Sequence, residues 1–247
     1  MNKFLILANN GSLYYRDPRW PKYNVAYLSW FLSFTDCDVV GVLDQSRDVF
    51  MNKTDEFISG LSSDDITFIY MSGVGGNRNG INGFLPYEYS NIDEGLIDIN
   101  DILDKFQGKP VIIFIDIFSP RTSFKRLNFA DCVVENCYIA YSCSNMQWSA
   151  GDGTAFTGRL IRAMFGHSGT TLAEVLASFQ KSMDQERQTK GKKACAHNSL
   201  QDDTKKAFLQ GVLNNQEYQS QKGEPDDFPW IYNMWQRLKG EDEFKFN

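Results

Sequence analysis

Phe68-Ile69-Tyr70-Met71-Ser72-Gly73-Val74-Gly75-Gly76 runs four bulky side chains together and then breaks into small residues. A half-exposed strand would alternate apolar and polar positions. An unbroken run ending in glycines instead reads as a strand covered on both faces, as happens when helices lie above and below a parallel sheet. Ile66–Ser72 is therefore assigned as a buried strand, and Lys3–Ala8 and Pro110–Phe118 repeat the pattern. Asp38–Leu43 and Asn136–Cys143 are shorter strand candidates.

The segments between them carry helical spacing. Pro21–Phe34 begins on a proline suited to a first turn and sets Val25, Leu28 and Leu32 on one face. Asp98–Phe106 does the same with Ile99, Ile102, Leu103 and Phe106, and Ala155–Phe165 with Phe156, Leu160, Ile161 and Met164. Thr171-x-x-Glu174 has the form of a capping box ahead of the stripe Leu172, Val175, Leu176, Phe179 and Met183. Strands alternating with helices predict a doubly wound sheet with helices on both sides. No internal repeat is visible.

At 247 residues, 42% hydrophobic and 23% charged, the chain suits one large α/β domain. A net charge of -6 argues against a nucleic-acid or membrane surface. The basic cluster Arg121, Lys125 and Arg126 reads as a solvated face. The apolar run at Phe4–Ala8 is too short for a signal peptide and stops at Asn9-Asn10-Gly11. No stretch approaches the roughly 20 apolar residues of a membrane helix. The five cysteines form no C-x-x-C pair, so reduced, mostly buried thiols in the cytoplasm are expected, with no disulfide frame or zinc site.

Functional groups of an open α/β sheet gather beyond the carboxyl ends of its strands. Gly73-x-Gly75-Gly76 stands at such an end and invites a phosphate-loop reading. The last position of the G-x-G-x-x-G pattern is Arg78, however, and Asn77 to Gly83 reads as loop with no helix start to hold an anion. A nucleotide-binding, flavodoxin-like module is retained as an alternative architecture.

Three segments together resemble the caspases, metacaspases and their relatives. Phe68–Gly76 is similar to the family's strand ending in S-G-H-G, with Val74 in the histidine's place. Gly108-Lys109-Pro110 through Asp116-Ile117-Phe118-Ser119 resembles the strand ending in D-x-C or Q-A-C, with Phe118 in the cysteine's place. Ile139–Cys143, Gly153-Thr154-Ala155-Phe156-Thr157 and Leu172–Leu176 resemble the start of the small subunit. The likeness extends over about residues 1 to 200. Val74 and Phe118 are 44 residues apart, close to the roughly 50 between histidine and cysteine in caspases.

The resemblance implies a caspase-like three-layer α/β/α sandwich. Its six-stranded, mostly parallel sheet would have the order 2-1-3-4-5-6, with the last strand antiparallel. Family members cleave peptides with a thiolate nucleophile and a histidine that handles the proton. Valine transfers no proton and phenylalanine has no nucleophilic atom, so an inactive pseudoprotease is expected, without metal or cofactor. Asp116 corresponds to the aspartate that in metacaspases lines a pocket for a basic residue; a turn aspartate accepting backbone hydrogen bonds is the other reading. Cys143, at the end of the fifth strand, is a candidate for the same pocket and for a relocated nucleophile. His167 and His197, the two histidines present, stand at no core strand end.

Residues 1–213 are assigned to this domain. Asn214–Asp227 reads as a polar linker, and Trp230, Ile231, Met234, Trp235 and Leu238 as a C-terminal amphipathic helix packed on the same domain. The function expected is binding to a protein partner, either an active caspase-like protease or a substrate of one. The sixth strand, near Ala194–Leu200, follows Lys190, Lys192 and Lys193. Lysines beside a sheet edge oppose edge-to-edge pairing, so a monomer is expected.

Overall fold

The computed structural model describes residues 2–9, 20–33, 35, 37–120, 123–129, 134–142, 155–166, 171–190, 194–203 and 244–246. Strand β1 (Asn2–Ala8) leads through helix α1 (Trp20–Leu32) to β2 (Asp38–Leu43), and α2 (Arg47–Ser59) leads on to the long β3 (Ile66–Arg78). A hairpin partner, β4 (Ile81–Phe84), the turn α3 (Ile92–Gly95), the two-residue β5 (Ile97–Asp98) and α4 (Ile99–Asp104) come next. They precede β6 (Val111–Phe118) and β7 (Cys137–Ser142). The order closes with α5 (Ala155–Gly166), α6 (Leu172–Lys190), β8 (Ala194–Asn198) and β9 (Phe244–Phe246).

The main sheet runs β8-β7-β6-β3-β1-β2-β9. Counting only its six long members, this is the expected 2-1-3-4-5-6 order. The neighbours from β2 to β7 are parallel and β8 is antiparallel to β7. The alternation of side chains explains why the strands read as continuous apolar runs. Phe4, Ile6, Phe68, Tyr70 and Phe114 face α1, α5 and α6, whereas Leu5, Leu7, Ile69, Met71 and Ile113 face α2 and α4. Each of these side chains is fully or almost fully buried, and each such burial contributes about 1.5–3 kcal/mol. Phe179 of α6 meets Phe114 and Phe156 edge-on, at centroid distances of 5.5 and 5.2 Å.

The capping box forms. Glu174 N donates to Thr171 Oγ1 at 3.3 Å and Thr171 N donates to Glu174 Oε2 at 2.9 Å. Two expectations are corrected. Asn77 to Gly83 is not loop: β3 continues to Arg78 and pairs with β4 as a hairpin. Its turn is Asn79-Gly80, both at positive φ (54° and 88°), which glycine adopts freely and asparagine tolerates. Ile81 is the one apolar side chain larger than glycine in this stretch, so no strand periodicity marked it. The sheet is also wider than six strands, because β9 pairs antiparallel with the outer edge of β2. The linker Asn214–Asp227 and the helix Trp230–Leu238 lie outside the described residues.

Candidate functional site

The carboxyl ends of β3 and β6 meet in register, with Ser72 opposite Asp116 and Val74 opposite Phe118. Val74 is buried with Leu85, Leu96 and Phe124, and the half-buried Phe118 packs against the same cluster. Val74 O accepts from Leu85 N at 2.8 Å, which ties the end of β3 to the chain leaving the hairpin. The glycines beside Val74 serve close packing. A Cβ on Gly75 would lie 2.3 Å from Gly83 O, and one on Gly76 would lie 2.7 Å from both Lys125 O and Phe124 Cβ. A hairpin, with no helix N-terminus, follows these glycines, so they do not form a phosphate loop of the G-x-G-x-x-G type.

One step back along the strands, on the face covered by α1 and α5, lies a polar cluster built on Asp116. Its Oδ1 accepts from Ser142 Oγ at 2.9 Å. Its Oδ2 accepts from Asn24 Nδ2 at 2.9 Å and from Thr157 Oγ1 at 3.1 Å. Thr157 Oγ1 also shares a 2.6 Å hydrogen bond with Tyr70 OH. All these partners are side chains, so the reading of Asp116 as a turn residue fed by backbone N–H groups is not what the structure places there. Burial pushes the Asp116 carboxyl up to about 7, against the opposing pull of the Ser142 and Thr157 hydroxyls. Burial, then the neighbouring Asp116 charge, raises the Tyr70 hydroxyl well above its ordinary range.

Of the sequence-derived site residues, Val74, Phe118 and Asp116 come together at one sheet edge. Cys143 and His167 lie outside the described residues. His197 is placed on the edge strand β8 opposite Ile139, a row that continues through Ile113 and Ile69. Val74 stands five residues farther along β3 and three strands across, which amounts to about 16 Å along the sheet and about 14 Å laterally. Asn24, Tyr70, Ser142 and Thr157 carried no role in the sequence reading. Thr157 had a signal, as part of Gly153-Thr154-Ala155-Phe156-Thr157, whereas Asn24 sat among apolar helix positions. Among the described residues no three His, Cys, Asp or Glu side chains gather as metal ligands. No described helix is long and apolar enough to cross a membrane.

A doubly wound three-layer α/β fold with an antiparallel last strand is shared with solved caspases. The structure of pro-sf-caspase-1 superposes with a TM-score of 0.60 at 12% identity, over 85% of this chain and 93% of that one. The Drosophila initiator caspase Dronc gives 0.56 at 11% identity, over 85% and 81%. No curated protein matches the chain by sequence. The family model for the caspase domain matches residues 5–208. The chain belongs to the caspase domain family.

Proposed function

We propose that this chain is a catalytically inactive member of the caspase family, a pseudoprotease that acts by binding a protein partner as regulator, decoy or scaffold. The observation that carries this reading is the Val74–Phe118 pair. These residues stand where the resemblance puts the family's histidine and cysteine, they are register partners, and they join one apolar cluster. Neither side chain moves a proton or attacks a carbonyl, and loss of both members of a catalytic pair costs several orders of magnitude in rate. The partner is an active caspase-like protease or a substrate of one, met in the cytoplasm by a monomeric chain.

The test is a panel of peptides bearing Asp, Arg or Lys before the scissile bond, at high protein concentration, with and without calcium. No turnover is expected. Turnover that disappears in Cys143→Ala, or on thiol alkylation, would overturn the proposal in favour of a relocated nucleophile. A rise in melting temperature with nucleotide would favour the nucleotide-binding alternative. Co-purification from the native source, followed by mass spectrometry, identifies the partner.

A further inference from the structure

Asn82, Asn77 and Lys125 are successive register partners across the β4–β3 hairpin and the segment running antiparallel to it. Their side chains therefore share one face of this small sheet, and alternation along β3 puts Val74 on the other. On the asparagine face lies a pocket of about 440 Å³. Lys125 and Arg126, both exposed, line it together with Asn100 of α4 and Asn128, and Phe129 contributes an apolar wall. Among the described residues no carboxylate lines it. The sequence alone made these cations a solvated face; the fold gathers two of them at one concavity, while Arg121 lies outside the described residues.

The wall is already built. Asn82 Oδ1 accepts from Asn77 Nδ2 at 3.0 Å and from Asn128 N at 2.9 Å, and Asn82 Nδ2 donates to Asn128 O at 2.5 Å. Asn77 and Lys125 exchange backbone hydrogen bonds of 2.9 and 2.7 Å. Charge sets the site apart as well. Lys3, Lys53, Arg78 and Lys105 each hold a carboxylate, whereas Lys125 forms no ion pair among the described residues. On a chain of net charge -6, a preformed pocket lined by two cations and, among the described residues, no carboxylate is a place where negative charge is attracted.

We infer that this pocket binds an acidic peptide segment of a partner protein, its anionic oxygens engaging Lys125 and Arg126. The volume is that of a site for several groups, well beyond one small ion. Neutral amides around two cations can hydrogen-bond a peptide backbone beside the charged contacts. The inference goes beyond the proposed function, because the pocket lies on the face away from Val74 and does not depend on the lost dyad.

The test is fluorescence anisotropy with a labelled hexapeptide of glutamates, its glutamine counterpart and a phosphoserine peptide, with inorganic phosphate as competitor. The glutamate or phosphoserine peptide is expected to bind, and the better of the two shows whether carboxylate or phosphate oxygens suit the pocket. The glutamine peptide should be weaker by about tenfold or more. Lys125→Glu with Arg126→Glu should weaken the acidic peptide by at least about tenfold, and raised salt should weaken it too. Asn100→Asp places a negative charge in the pocket without touching the hairpin, and should act in the same direction. Thermal melts of all variants should match the parent. Equal binding of the glutamine peptide, unchanged binding by either variant, or no binding of any peptide at millimolar concentration overturns the inference. Phosphate binding without peptide binding makes the pocket a small-anion site and overturns it equally.

Discussion

Replacing Asp116 by asparagine removes an ionisable group from the densest polar cluster of the fold, and the result should appear as a change in how stability depends on pH. Burial lifts the Asp116 carboxyl from its ordinary 3.8 to about 7. Between those two values the folded protein keeps a proton that the unfolded chain has released, so this residue makes stability fall as pH rises through that window. The full effect from pH 3 to pH 8 is about 4 kcal/mol. Neutral groups fit the site: Asn24 Oδ1 is buried and has no hydrogen-bond partner among the described residues. An asparagine at 116 with its amide in the Oδ2 position can donate to Asn24 Oδ1 once the Asn24 amide turns over, while Ser142 donates to the carbonyl in the Oδ1 position and Thr157 keeps its hydrogen bond with Tyr70. Asp65 and Asp93 have lowered carboxyls and slope the opposite way, below pH 4. The measurement is therefore the difference between wild type and Asp116→Asn in urea-unfolding free energy, taken at pH 4, 5, 6, 7 and 8. The variant should gain on the wild type steadily across this range, by several kcal/mol in all. Parallel curves would refute the argument, since Asp116 would then titrate alike in the folded and unfolded chains.

Four further outcomes are expected. Val74→His with Phe118→Cys should lower unfolding free energy by roughly 2–5 kcal/mol, since a polar ring enters an apolar cluster and an aromatic one leaves it; efficient peptide cleavage by that double variant would mean the cleft was kept for peptide binding. Gly76→Ala should cost about 2–4 kcal/mol, because its φ of +146° is strained for alanine and its methyl would strike Lys125 O and Phe124, with denaturant melts as the check. Native extracts should contain one uncut chain: Phe124, Leu127 and Phe129 are buried and Lys125 is paired to Asn77, so a reproducible two-fragment form on gels would count against the proposal. Sedimentation at micromolar concentration should show a monomer; a stable dimer unaffected by Lys190, Lys192 and Lys193→Glu would remove the argument from edge lysines.

The core strands and the helix faces were legible because each rests on local pattern, whereas the strand order and the pairing of Val74 with Phe118 came with the resemblance to caspases. Unbroken apolar runs mark a sheet covered on both sides, and 3.6-residue stripes mark the helices that cover it. What escaped was set by features that leave little periodicity. The β3–β4 hairpin is mostly Gly and Asn, which suit close backbone approach and a positive-φ turn, with Arg78, Ile81 and Phe84 too scattered to mark a strand. β9 is three residues of chain far from β2 in sequence, and only the open edge of β2 makes it a strand. Helix α2 buries only Phe50 and Thr54 completely, so its amphipathic signal is faint.

Asp116 shows why the site's chemistry was harder to read than its position. The residue sits at a strand end where an aspartate ordinarily finds water or backbone donors, and its type alone predicts an ionised side chain. Its actual state depends on Asn24, Ser142 and Thr157, which come from a helix before β2, the end of β7 and the first turn of α5. No window of sequence contains all three. Their hydroxyl and amide donors offset part of the cost of burying a charge, and with no cation among those contacts the carboxyl still reaches about 7. Val74 and Phe118, the register partners that the proposal sets at the family's histidine and cysteine positions, occupy the next row of the sheet. The polar row beneath them is bonded within the fold, and its hydrogen bonds tie β6 to α1, β7 and α5 whether or not any substrate arrives.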